Sequence, residues 1–168
     1  KIEEMCIGTS PYLMVELPQE GWSEEVYRVM ERLIIERGIF PVFAHLERYL
    51  FKMKRRDREQ LDMLNRMGAL NQVNASFILS PFTRFYAMRG ISRGVFHLIG
   101  SDCHDTKERP QNLASCFLVL QRKRNRKHLE LIEKHTRKIL DRLCLQEAEA
   151  GTDRREETTR GEKGEERI

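Results

Sequence analysis

Two short stretches of this chain bring together side chains that can do chemistry. Asp102 and His104 lie in Gly100-Ser101-Asp102-Cys103-His104-Asp105, and His45 and Arg48 lie in Phe43-Ala44-His45-Leu46-Glu47-Arg48. Carboxylate oxygen and imidazole nitrogen together suit Zn²⁺, Mn²⁺ or Fe²⁺. In an extended segment an Asp-x-His pair directs both side chains to one side. Glu16, at the end of Leu13-Met14-Val15, adds a further carboxylate, and Asn74 ends another apolar run. A metal held there would polarise a bound oxygen and lower the pKa of bound water, giving a nucleophile near neutral pH. Arg48 follows His45 by three residues and Arg109 follows His104 by five. A guanidinium is a permanently charged planar fork that fits phosphate oxygens. Singly, each residue has a plainer explanation: a loop carboxylate, a core histidine, a helix-capping Asp, a surface Arg. Together they point to metal-assisted hydrolysis of a phosphate ester.

Such residues need a scaffold that gathers them. Leu13-Met14-Val15 reads as a short strand stopped by Pro18. Ser23 then opens a helix carrying Val26, Met30, Leu33 and Ile34 on one face, with Gly38 as its stop. Ile39 to Ala44 is a second strand, ending in His45. Asp57 caps a helix bearing Leu61, Leu64 and Met67, closed by Gly68. Ala69 to Val73 is a third strand, followed by a helical stretch from Pro81 to Arg93. Gly94 stops it, Val95 to Ile99 forms a fourth strand, and helices follow near Asn112–Arg122 and Lys127–Leu145. Strand-helix alternation with short connections predicts parallel strands and right-handed crossovers, as an open α/β sheet or an arc of a barrel. Glu16, His45, Asn74 and Asp102 all follow strands. In parallel α/β folds those strand ends share one face, where ligands bind.

Composition sets the outer limits. The chain has 168 residues, 33% of them charged, and a net charge of +4. It contains no apolar run near the roughly 20 residues of a membrane-spanning helix. Between Glu147 and Ile168 eight acidic residues face five basic ones, net −3, which leaves +7 on residues 1–146. That tail has little to bury and reads as disordered, so residues 1–146 form the folded unit. Basic runs at Lys52–Arg56 and Arg122–Lys127 read as solvated surface; they lack the interleaved aromatics of a single-strand nucleic-acid surface. Cys6, Cys103, Cys116 and Cys144 have neither zinc-knuckle nor disulfide-framework spacing, which suits a reducing cytoplasm.

The segments Leu13–Pro18, Pro41–Arg48, Gln72–Ser76 and Ser101–Pro110, in this order and at these separations, resemble the bacterial manganese-dependent protein tyrosine phosphatases of the polymerase-and-histidinol-phosphatase (PHP) superfamily. The resemblance covers roughly Ser10 to Leu120. It implies a distorted (β/α)7 barrel with a trinuclear metal centre, usually manganese. By that likeness Glu16 bridges metals, His45, Asp102 and His104 bind metal, and Arg48 and Arg109 grip the phosphate. The implied substrate is a phosphotyrosine protein, a tyrosine kinase that controls capsular or exopolysaccharide synthesis.

Two departures stand out. Leu46 occupies a position where the family usually has proline, a change expected to alter only loop stiffness. No His-x-His precedes Glu16, although the family opens with such a strand. The expectation is therefore a C-terminal portion of the barrel, lacking its N-terminal strands, which binds metal weakly and is inactive alone. Alternatives are a PHP-superfamily hydrolase of a small phosphate monoester, or a non-catalytic basic binding module. Cys103 and Arg109 have the spacing of a cysteine-based phosphatase. The intervening Asp105 and Glu108 would repel phosphate, so the spacing reads as chance. Trp22 is expected to pack the loop before the first helix and His97 to serve the core. His128 and His135 are expected to face solvent.

Overall fold

The structure is a computed structural model that describes residues 1–18, 22–107 and 110–141. Residues 142–168, and with them the tail, lie outside the described residues. Four strands, β1 (Tyr12–Val15), β2 (Phe40–Phe43), β3 (Leu70–Asn74) and β4 (Leu98–Gly100), form one parallel sheet in the order β1-β2-β3-β4. Each strand lies beside the next in sequence, so every crossover advances the sheet in one direction. That is the winding of a barrel arc.

The helices form where the local signals ask for them. In α1 (Glu24–Arg37) the Ser23 hydroxyl accepts from Val26 N–H, and Gly38 closes the helix at φ 63°, a conformation that costs only glycine little. The helix α3 (Arg55–Arg66) begins earlier than Asp57. Lys54 is its N-cap, and the Asp57 side chain reaches back to accept from Lys54 N–H at 2.9 Å. The helix expected over Pro81–Arg93 is α5 (Arg84–Ser92), and a short helix α4 (Ala75–Leu79), not anticipated, precedes it. The Arg84 guanidinium at the start of α5 donates to the carbonyls of Ile78 and Leu79 at the end of α4. A one-turn helix α2 (Glu47–Leu50) follows β2, too short for any periodicity to announce. The last elements are α6 (Leu113–Leu120) and α7, over 126–141.

Strand residues alternate between two apolar layers. Val15, Phe43, Val73 and Ile99 pack into the main core under the helices, and Tyr12, Val42, Leu70 and Leu98 meet Ile139 of α7 on the other side. Trp22 packs as expected, its ring centroid 5.0 Å from that of Phe43 and 5.5 Å from that of Tyr27. No helix among the described residues is long and apolar enough to cross a membrane.

Two of the histidines correct the sequence reading, and His97 bears it out. His97 is buried just ahead of β4, where its Nδ1 accepts from Asn71 N–H at 3.0 Å. His135 does not face solvent: it is half-buried, its ring edge-on to His97 with centroids 4.7 Å apart. His128 is also half-buried, with Nδ1 3.3 Å from Asn125 O. Both belong to α7, which lies against the sheet instead of standing clear of it.

Burial, with the positive charges of protonated His135 and Lys138 nearby, depresses the His97 pKa to about 4. The folded state thus favours neutral His97, and the unfolded chain takes up the proton near pH 6.5. Stability is complete above that pH and falls as pH drops towards 4, by roughly 3 kcal/mol at most. Urea denaturation across pH 7 to 4 should show this decline, and a His97→Gln variant should lose about that much of the pH dependence.

Candidate functional site

The C-terminal ends of the four strands carry one connected polar network. At the end of β2 the chain turns sharply: His45 sits at φ 36°, a left-handed conformation rare outside glycine. Gln72 of β3 holds that turn twice. Its side-chain Oε1 accepts from His45 N–H at 2.7 Å, and its backbone carbonyl accepts from Leu46 N–H at 2.9 Å. The Gln72 amide donates onward to Asn74 Oδ1 at 3.0 Å, and Asn74 Nδ2 donates to Asp102 Oδ2 at 3.3 Å. Asp102 also ion-pairs with Arg48, which α2 carries across from β2. A single chain of bonds therefore ties the ends of β2, β3 and β4 together.

The space for Gln72 comes from β4. A Cβ on Gly100 would lie 2.3 Å from Gln72 Nε2, so only glycine lets the carboxamide lie across the strand ends. Leu46 does more than alter loop stiffness. Its N–H makes the bond to Gln72, which proline could not donate, and its side chain is fully buried.

The expected site residues assemble as two pairs. Glu16 Oε1 lies 3.1 Å from His45 Nε2, bringing together the ends of β1 and β2. The exposed carboxylate meets a buried imidazole backed by Tyr49, whose ring centroid is 5.9 Å away and whose hydroxyl donates to Leu17 O at 2.6 Å. Burial, reinforced by the charge of Glu16, raises the Tyr49 pKa, so this hydroxyl stays protonated as a donor. The second pair is Asp102 with His104, Oδ1 to Nδ1 3.8 Å. Here the extended Asp-x-His reading needs correction. Asp102 sits at φ 54°, and the turn folds the His104 ring back to 2.9 Å from the Asp102 carbonyl oxygen. Arg109 lies outside the described residues.

These donors suit a transition metal in type but not in number. Among the described residues no group of three or more His, Cys, Asp and Glu side chains is arranged to hold a metal ion. Each pair is short of the three protein ligands that a catalytic zinc site, for example, takes. His45 Nδ1 is buried with no hydrogen-bond partner. The described residues thus present two half-sites, not a metal centre.

Glu47 and Gln72 escaped the sequence reading. Glu47 is buried, and its Oε2 accepts from Asn74 N–H at 3.3 Å. Burial, the dominant cause, raises its pKa. A signal for Gln72 did exist: β3 reads Leu-Asn-Gln-Val-Asn, and all five residues are buried. Buried carboxamides need partners; those of Gln72 and Asn74 make up this network, while Asn71 Nδ2 donates to Val95 O. The basic runs behave as solvated surface: Arg55 pairs with Glu59, Arg56 with Glu24 and Arg126 with Glu130.

Fold and site define an α/β protein built on part of a parallel barrel, with carboxylate, imidazole and guanidinium gathered at the strand ends. The family model "Capsular polysaccharide synthesis, CpsB/CapC" matches residues 1–141, and the chain belongs to that family. It is 26% identical over 151 residues to the tyrosine-protein phosphatase CpsB of Streptococcus pneumoniae, covering 83% of this chain and 60% of that protein. Against CapC of Staphylococcus aureus it is 32% identical over 120 residues, covering 66% of this chain and 44% of that protein. The fold matches a solved structure from work on YwqE of Bacillus subtilis and CpsB of Streptococcus pneumoniae, described as metal-dependent tyrosine phosphatases. The TM-score is 0.65 at 20% identity, covering 83% of this chain and 55% of that one. The chain spans about half the length of the relatives it matches.

Loss of the Gln72 bridge should be felt across all three strand ends. Gln72→Met leaves His45 N–H and Asn74 Oδ1 without their partner, and should lower unfolding free energy by about 1–3 kcal/mol in urea titrations. Gly100→Ala, which removes no polar group, should destabilise in the same direction by pushing the carboxamide aside.

Proposed function

We propose that this chain supplies the phosphate-gripping portion of a metal-dependent phosphatase that acts on phosphotyrosine in proteins. The observation that carries this reading is Arg48 on Asp102. A guanidinium from β2 and a carboxylate from β4 converge beside Asn74 at the strand ends, where parallel α/β folds bind ligands. Family membership, and relatives named as tyrosine-protein phosphatases, support the substrate class. On this reading Arg48, with Arg109, holds the phosphate oxygens. Glu16, His45, Asp102 and His104 are donors to a multinuclear centre, most simply of manganese, with Fe²⁺ and Zn²⁺ as the other candidates. When bound, the metal would supply an activated water and charge neutralisation. The chain's own residues have other tasks. Gln72 and Asn74 fix the directions of the His45 turn and the Asp102 carboxylate, and Arg48 waits as a preformed anion contact.

The phosphoprotein substrate is proposed to be a tyrosine kinase of polysaccharide synthesis, in keeping with the family description. A cytoplasmic site of action accords with Cys6, Cys103 and Cys116 being free thiols.

The test is hydrolysis of p-nitrophenyl phosphate and of a phosphotyrosine peptide, with Mn²⁺ or with chelator. Chelator, or Asp102→Ala with His104→Ala, should lower kcat/KM by about 100-fold or more, and Arg48→Ala should act largely through KM. Cys103→Ser should leave activity unchanged. Turnover indifferent to both chelator and the Asp102/His104 change would sink the metal mechanism, and loss of turnover in Cys103→Ser with metal still bound would restore the thiolate one.

A further inference from the structure

Glu47 and Leu50, on the same one-turn helix as Arg48, line a groove of about 320 Å³ between α2–α3 on one side and α4–α5 on the other. This is at the lower end of the roughly 300–1,000 Å³ range of ligand pockets. Glu47 belongs to both features: it lines the groove, and its carboxylate accepts from Asn74 N–H in the strand-end network. Leu50 and Phe51, two and three residues beyond Arg48, continue the wall.

Two properties mark the groove. Its mouth is aromatic and unusually exposed: Phe51 is 72% and Tyr86 55% accessible, and their rings meet edge-on at 6.3 Å across the junction of α2 and α5. Phe85 extends the patch, its ring 5.7 Å from that of Tyr86. Large aromatic side chains gathered in the open, unlike single exposed ones, mark a surface meant to be covered. Its lining is also basic. Arg58, Arg89 and Arg93 all line it and are exposed, against Asp62 and the buried Glu47. Among the described residues Arg89 and Arg93 make no ion pair, and Arg58 donates only to the Leu50 carbonyl. Elsewhere on this surface arginines pair with Glu four residues along the same helix, as Arg32 does with Glu36. These guanidiniums flank an apolar slot without being drawn into ion pairs among the described residues.

We propose that this groove binds the polypeptide flank of the substrate, and that it selects segments with acidic residues and an apolar or aromatic side chain next to the phosphorylated residue. The inference rests on the phosphotyrosine reading of the Arg48 site. Chain geometry allows it. An extended peptide advances about 3.3–3.6 Å per residue, so a phosphotyrosine held at Arg48 places its near neighbours along Leu50, Phe51 and the arginines. A carboxylate on Arg89 or Arg93 and a ring against Phe51 and Tyr86 would satisfy both properties at once. A concave slot with Asp62 in its wall suits a peptide strand better than a flat anionic lipid surface.

The experiment measures binding of fluorescein-labelled peptides to the full chain by anisotropy. The first peptide carries phosphotyrosine flanked by Asp, Glu and one Phe. The second carries phosphotyrosine flanked by Gly and Ser, and the third is the acidic peptide without phosphate. The acidic phosphopeptide should bind at least about tenfold tighter than the neutral one, with an advantage that shrinks as salt rises. Arg89→Glu with Arg93→Glu should abolish that advantage and leave the neutral phosphopeptide unchanged. Phe51→Ser should weaken the acidic peptide alone.

The outcomes separate the two readings. If the acidic unphosphorylated peptide binds in an Arg89/Arg93-dependent way and phosphate adds nothing, the groove stands and the phosphate site falls. If phosphate strengthens every peptide but neither acidic flanks nor the double reversal matters, the groove proposal is overturned. It is likewise overturned if phosphatidylserine vesicles displace the acidic peptide, or if sedimentation shows a dimer that Phe51→Ser dissolves.

Discussion

Gln72 lies in the middle of a strand with every residue buried, and its carboxamide is the hinge on which the strand ends turn. An amide removed from water must find partners or cost the fold about 1–3 kcal/mol. Here both ends are used: the oxygen takes the N–H of His45, and the nitrogen reaches Asn74. One side chain therefore stabilises a left-handed residue just after β2 and aims a second carboxamide at Asp102 after β4. The absence of a Cβ on Gly100 is the reciprocal requirement, met from the neighbouring strand.

From this bridge the rest of the site follows in short steps. Holding His45 at φ 36° brings Leu46 into the core and starts α2 with Glu47, so that Arg48 projects towards Asp102 while Glu47 turns inward to Asn74. Two left-handed residues, His45 and Asp102, sit on either side of the same network. Such backbone strain costs on the order of 1–3 kcal/mol per residue and persists only where surrounding bonds overdetermine it. The helix that delivers Arg48 is one turn long, and its far end opens the aromatic, arginine-lined groove. Phosphate grip and groove are thus adjacent by construction, because both hang from the turn that Gln72 holds.

The donors themselves remain in two pairs, Glu16 with His45 and Asp102 with His104. A half-complete donor set on an arc of parallel strands accords with a chain that spans about half the length of its relatives. The parallel register explains why both pairs lie at the same end of the sheet. Four strands pointing the same way put four C-terminal loops on one edge, whatever their separation in sequence.

Much of this was legible in the chain. Apolar runs, Ser23 and Gly38 around α1, and the glycine stops specified all four strands and the larger helices, because caps and periodicity are local. The polar residues after each strand announced the candidate site for the same reason. What sequence alone left open depended on neighbours distant along the chain. The burial of His135 rests on where α7 docks against His97. The turn at Asp102, which undid the extended Asp-x-His geometry, and the role of Gln72 appear only when β2, β3 and β4 are side by side. Residue types and spacing determined which groups could bind a metal and a phosphate. Only tertiary structure decided which of them meet, since that depends on buried hydrogen bonds between strands some 25 to 30 residues apart.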